Sequence, residues 1–198
     1  MLLGAEILIT REVIKNINPE FCDEFIEKAA LIFGEEEAVK IRACIQCGTC
    51  VGGCPSARRT AYRTKKLFRL IQLGLKDDAI TSEDLWLCTT CYTCQERCIR
   101  AISTTDFVRI LRNIAFENNH ATKPHLYVSN LLFKFGHAVP INDDIKKVRK
   151  KLGLLEIPPT THTYPEALEE VNKMCEATGF KAKVRANEKA IEERSKGA

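Results

Sequence analysis

Apolar positions recur at helical spacing along most of the chain. Asn18-Pro19 reads as an N-cap followed by proline at the first helical position, and Phe21, Phe25, Ile26, Ala29, Ile32 and Phe33 form one stripe that Gly34 ends. Leu67, Phe68, Leu70, Ile71 and Leu75 repeat the spacing, with a stop at Gly74 and a fresh N-terminus at Ser82-Glu83-Asp84. Thr104-Thr105-Asp106 opens a helix expected to bury Phe107, Ile110, Leu111 and Ile114 and to turn Arg109 and Arg112 outward. Three shorter helices follow, Pro124 to Phe135, Asn142 to Leu152 and Thr163 to Thr178, each closed by a glycine, with Pro158-Pro159 forcing an extended link before the last. Only Ala5 to Thr10 has a strand-like pattern, so the chain reads as mainly α.

The periodicity fades at the end. From Lys181 onward six basic and three acidic residues leave almost no apolar stripe, which predicts a tail that is exposed, disordered or ordered on a partner. The pattern divides the chain into an N-terminal helical arm (1–36), a cysteine-bearing domain (37–120), a C-terminal helical extension (121–180) and the charged tail (181–198).

Composition changes this picture at one point. At 198 residues and 45% hydrophobic the chain can bury a core, but ten cysteines need an explanation. No uncharged run is long enough to span a bilayer, and the N-terminus lacks a basic region and cleavage site, so a cytoplasmic protein with reduced cysteines is expected.

Eight of the ten cysteines fall into two runs of identical spacing, C-x2-C-x2-C-x3-C: Cys44, Cys47, Cys50 and Cys54, then Cys88, Cys91, Cys94 and Cys98. A cubane [4Fe-4S] cluster needs four thiolates at the corners of a tetrahedron, which three from a tight loop and one from elsewhere provide. In two-cluster proteins of this spacing the fourth cysteine of each run ligates the other cluster. The expected ligand sets are therefore Cys44, Cys47, Cys50 and Cys98 for one cluster, and Cys88, Cys91, Cys94 and Cys54 for the other. Structural zinc instead uses two separated C-x2-C pairs, which consecutive triplets do not match.

The loops differ in composition. Gly48, Gly52 and Gly53 lie in the first, whereas the second has no glycine and carries Gln95, Glu96 and Arg97; cysteine is followed by Pro55 in the first and by Ile99 in the second. Cys22 and Cys175 lie on apolar stripes and read as small buried hydrophobes. His120, His125, His137 and His162 are scattered and read as structural or surface residues. Arg58, Arg59, Arg63, Lys65, Lys66, Arg69 and Lys76 form a basic segment, read either as a solvated face balancing cluster charge or as a docking face for an acidic partner. The formal charge of +4 loses its meaning once eight thiolates and two oxidised cores of about +2 each are counted, and no nucleic-acid motif accompanies it. No dinucleotide fingerprint, Walker loop or nucleophile elbow is present, so no catalytic site of its own is expected.

The phrases CIQCGTCVGGCPSAR, RLIQLGL, WLCTTCYTCQERC and VRILRNIA, with Gly136 to Pro140 and TYPEALEEVNKMCEATGF, closely resemble the iron-sulfur electron-transfer subunit of the soluble heterodisulfide reductase of methanogenic archaea. The resemblance implies an α-helical ferredoxin-type dicluster domain with additional N- and C-terminal helices. It also implies a relay of electrons from the flavin-containing subunit of that enzyme to its catalytic subunit, which reduces the mixed disulfide of coenzymes M and B in methanogenesis, fed by a hydrogenase or formate dehydrogenase. The eight cysteines match that family's ligands residue by residue, and the proline missing after Cys98 is the one departure. Iron-sulfur subunits of other dehydrogenases, which usually carry further cluster motifs absent here, and a non-redox module braced by clusters are the alternatives.

Overall fold

The computed structural model describes residues 16–196, and among these there are eleven α-helices, two 3-10 helices and no strand. The stretch Ala5 to Thr10 lies outside the described residues. The chain forms two compact units, the first ending at Asn118 and the second beginning at Asn119.

In the first unit α1 (Phe21–Phe33) buries Phe21, Phe25 and Ala29, one residue per turn, while Ile32 faces solvent at 60% exposure on the opposite side. Asn18 does not start the helix but accepts the Glu20 N–H ahead of it, and Gly34 closes it at φ 82°. The arm thus enters the same core as the cysteine segment. Phe25 meets Phe107 edge to face at 5.6 Å, and Phe68 lies 6.1 Å from Phe107. Such pairs add about 0.5–1.5 kcal/mol each beyond the area they bury.

After the short α2 (Glu35–Ala38) and a 3-10 turn (Val39–Ala43) come the first cysteine loop and α3 (Thr49–Gly52). Then α4 (Thr64–Gln72) presents Leu67, Phe68 and Ile71 to the core, and α5 (Lys76–Thr81) buries Ala79 and Ile80. Gly74 joins them at φ 70°, and a Cβ there would lie 2.2 Å from the Asn18 carbonyl oxygen, so only glycine fits. A second 3-10 turn (Glu83–Leu87) precedes the second loop and α6 (Thr93–Glu96), and α7 (Thr104–Glu117) closes the unit with Phe107, Ile110, Leu111 and Ile114 buried.

The second unit contains α8 (Lys123–Phe135), α9 (Asp143–Lys151), α10 (Pro165–Ala177) and α11 (Phe180–Lys196). The charged tail is therefore helical over residues 181–196. Its inner face runs through Phe180, Val184, Asn187 and Ile191, with Val184 and Asn187 fully buried. Asn187 accepts the Ala121 N–H at 2.9 Å, Arg194 donates to the Asn119 carbonyl, and Phe180 packs edge to face on Phe133 at 5.6 Å. A stripe whose centre is an asparagine is nearly invisible to a hydrophobicity count.

Candidate metal centres

The two cysteine loops share one backbone. Pairing Cys44 with Cys88 and continuing residue by residue, both are preceded by a 3-10 turn with one fully buried anchor, Ile41 in the first and Leu85 in the second. Both then turn left-handed at matching places: Gln46 (φ 60°) matches Thr90 (φ 52°), and Gly48 (φ 82°) matches Tyr92 (φ 62°). Each loop ends in one helical turn, after which the Cys54 N–H bonds the Val51 carbonyl and the Cys98 N–H bonds the Gln95 carbonyl, both at 3.1 Å.

Three of these four left-handed positions are not glycine, and each such residue stores about 1–3 kcal/mol of backbone strain. Strain kept at matching places in both loops is the kind that surrounding structure over-determines at functional sites. Ile99 is 67% exposed, and the second loop closes as the first does, so proline is not required for the geometry.

Matching side chains also hold the 3-10 turns. From α4, Gln72 Nε2 donates to the carbonyls of Ile41 (3.0 Å) and Cys44 (3.1 Å). From α7, Arg112 donates to the matching carbonyls, Leu85 (3.1 Å) and Cys88 (2.7 Å). The expectation that Arg112 points outward is overturned: it is half-buried, lies over the Trp86 ring at 5.6 Å, and burial holds its guanidinium below the usual range despite the nearby Cys88 sulfur. A period count places Arg112 one step off the apolar stripe, where a long side chain can fold inward to carbonyls that no sequence reveals.

The expected ligands are distributed as follows. Cys44, Cys47, Cys50 and Cys98 line a single cavity of about 370 Å³ of empty space, counting the part open to solvent, together with Gly48, Lys65, Arg100 and Thr104. Of the other four, Cys88 and Cys94 are gathered near Tyr62, Cys91 is exposed and Cys54 is buried, its sulfur 3.5 Å from the Ala57 N–H. The loops meet at matching positions: Cys94 acts electrostatically on Cys50, and a Cβ on Gly53 would lie 2.8 Å from the Arg97 guanidinium. Four thiols from two chain segments around one hollow suit a cubane. Among the described residues no three His, Cys, Asp or Glu side chains are grouped closely enough for a single metal ion, the arrangement zinc requires.

The electrostatics of the thiols follow the same symmetry. The Thr49 hydroxyl at 3.4 Å and the Thr93 hydroxyl at 3.5 Å hold Cys47 and Cys91 below the ordinary thiol value. Burial, reinforced by the neighbouring Cys94, Cys44 and Cys47, pushes Cys50 up to about 11. Burial raises the Tyr62 phenol, with Cys88 adding to it, and its oxygen accepts the Thr64 hydroxyl at 3.1 Å.

Cys22 packs against the core and Cys175 is buried, both in keeping with small apolar roles. Within the basic segment Arg63 turns inward, donating to the carbonyls of Ala57, Thr60 and Tyr62, and Lys76 pairs with Glu24 at 2.7 Å. Arg58, Arg59, Lys65, Lys66 and Arg69 are exposed. In the second unit His137 and His162 stack at 5.0 Å, a pairing that spacing did not reveal.

Residues 40–102 match the 4Fe-4S dicluster domain family. The chain is 51% identical over 166 residues, 84% of its length and 86% of the relative's, to the iron-sulfur subunit of the CoB–CoM heterodisulfide reductase of Methanopyrus kandleri. It is 48% identical to the corresponding subunit of the H(2):CoB-CoM heterodisulfide,ferredoxin reductase of Methanothermobacter marburgensis, over 79% of this chain and 83% of that one. It is 43% identical to the corresponding subunit of the ferredoxin:CoB-CoM heterodisulfide reductase of Methanosarcina mazei, over 71% and 86%.

Proposed function

This chain belongs to the family of iron-sulfur subunits of CoB–CoM heterodisulfide reductases, and we propose that it relays electrons between two other subunits of such an enzyme. The donor is a flavin-containing subunit and the acceptor is the catalytic subunit, where the coenzyme M–coenzyme B disulfide is reduced, with a hydrogenase or formate dehydrogenase upstream. The setting is cytoplasmic; no helix among the described residues is long and apolar enough to cross a membrane.

The observation that carries the reading is the pair of matching, thiol-rich loops whose short helices, α3 and α6, lie against each other. Cys44, Cys47, Cys50 and Cys98 would hold one [4Fe-4S] cluster, and Cys88, Cys91, Cys94 and Cys54 the other. When bound, each supplies a one-electron couple that needs no proton or bond change. The protein's part is to fix the spacing of the two thiol sets and to keep them on one rigid core. Arg58, Arg59, Lys65 and Arg69 offer an exposed cationic surface for an acidic face of a neighbouring subunit.

Anaerobic reductive titration of the complex, followed by EPR, tests the relay. Two magnetically interacting reduced clusters from this chain are expected, and their reduction by the donor must precede turnover of the disulfide. A chain whose clusters stay oxidised while the disulfide is consumed is not the relay.

A further inference from the structure

Gln72 and Arg112 hold the same two carbonyls of two matching turns, yet one is neutral and the other cationic. From this substitution within the repeat, and resting on the cluster reading above, we propose that Arg112 raises the reduction potential of the cluster bound by Cys88, Cys91 and Cys94 relative to the one bound by Cys44, Cys47 and Cys50, making the former the resting place of the transferred electron.

The effect is electrostatic. One-electron reduction adds a negative charge and makes or breaks no bond, so a nearby cation favours the reduced form, as do hydrogen bonds to the ligating sulfurs. Arg112 bonds the backbone carbonyl of Cys88 itself at 2.7 Å and is half-buried, so solvent screens it weakly. Polar contacts to sulfur occur on both sides of the repeat, the Thr105 hydroxyl lying 3.3 Å from the Cys94 sulfur and Gln46 Nε2 donating to the Cys44 sulfur at 3.4 Å, so the guanidinium is what distinguishes them.

The first loop is supplied differently. Gln72 brings no net charge to the Cys44 turn, and among the described residues its Oε1 has no hydrogen-bond partner. The cations at its cavity, Lys65 and Arg100, are exposed and therefore screened. Burial of Cys54 and Cys94 opposes the trend, since desolvation disfavours added negative charge, and none of Cys44, Cys47, Cys50 and Cys98 is as deeply buried. A cation at hydrogen-bonding distance from the ligand's own backbone is the device that overcomes such a penalty.

The test is an EPR-monitored redox titration of the intact complex with dithionite, comparing R112Q, R112K and Q72R with the parent. Gln72 borders an open groove with Cys22, Asp23, Arg42, Cys44 and Arg69, which leaves room for a longer side chain. R112Q is expected to lower one of the two midpoints by about 59 mV, a tenfold change in the oxidised-to-reduced ratio, and to leave the other in place. R112K keeps the charge and stays close to the parent, which guards against a mere loss of folding. Q72R should raise the midpoint that R112Q leaves alone. Equal movement of both midpoints in R112Q, no movement at full iron content, or a shift in R112K as large as in R112Q overturns the inference. A parent lacking two clusters would instead remove the ligand reading beneath it, a different failure visible in the iron content alone.

Discussion

Laid residue on residue, the loop from Cys44 to Cys54 and the loop from Cys88 to Cys98 follow one path with different side chains. The first reaches its second left-handed turn with a glycine; the second does so with Tyr92, whose hydroxyl bonds Asp106 at 3.0 Å. The first 3-10 turn is tied down by an amide, the second by a guanidinium. Backbone geometry is thus what two thiol cradles must share, whereas charge and hydrogen bonding are where they are free to differ. A two-cluster relay needs both properties: equal cradles to hold equal cofactors, and unequal surroundings to give the electron a direction.

The comparison can be strained first at the clamps. Replacing Arg112 by Ala leaves the Leu85 and Cys88 carbonyls without their donor and removes a charge-assisted pair, so a loss of about 2–3 kcal/mol is expected. Gln72→Ala removes neutral bonds to matching carbonyls and should cost about 1 kcal/mol. Urea unfolding of the cluster-free protein checks this; equal losses would mean that the two clamps are energetically alike and that the charge plays no part in folding.

A smaller effect, of opposite sign in the two loops, sharpens the comparison of backbones. Gly48→Ala places a Cβ at φ 82° and is expected to destabilise by about 1 kcal/mol. Thr90→Gly relieves a β-branched residue at φ 52° and should stabilise by a similar amount, since the Thr90 hydroxyl bonds the adjacent Thr89 carbonyl at 2.7 Å, a local contact. Thermal unfolding of the two variants side by side gives the signs directly. Destabilisation by both would argue that the second loop is not strained at Thr90.

Much of this was readable in advance because its causes are local. Helix stripes such as Phe21, Phe25 and Ala29, the stop at Gly74 and the two thiol runs each depend on residues close in sequence. The readings that changed depend on partners that spacing does not show. Arg112 folds inward because two carbonyls of the preceding turn lie within its reach, and Arg63 because three carbonyls of its own segment do. The helix Phe180–Lys196 forms where charge suggested none because buried Asn187 meets the Ala121 N–H, a pairing across 66 positions. The left-handed conformation of Tyr92 and Thr90 could have been inferred from the repeat itself, by carrying the turn implied by Gly48 onto the second run.

Cross-ligation between the loops is the central claim, and paired cysteine variants test it most directly through iron content and EPR of the anaerobically purified protein. If Cys98 serves the first loop, Cys47→Ser with Cys98→Ser removes two ligands from one cluster, leaving about four irons and an unchanged signal from the other. Cys91→Ser with Cys98→Ser then takes one ligand from each cluster and must alter both signals. The account is contradicted if the second pair leaves one cluster untouched while the first pair disturbs both, because each run would then hold its own cluster.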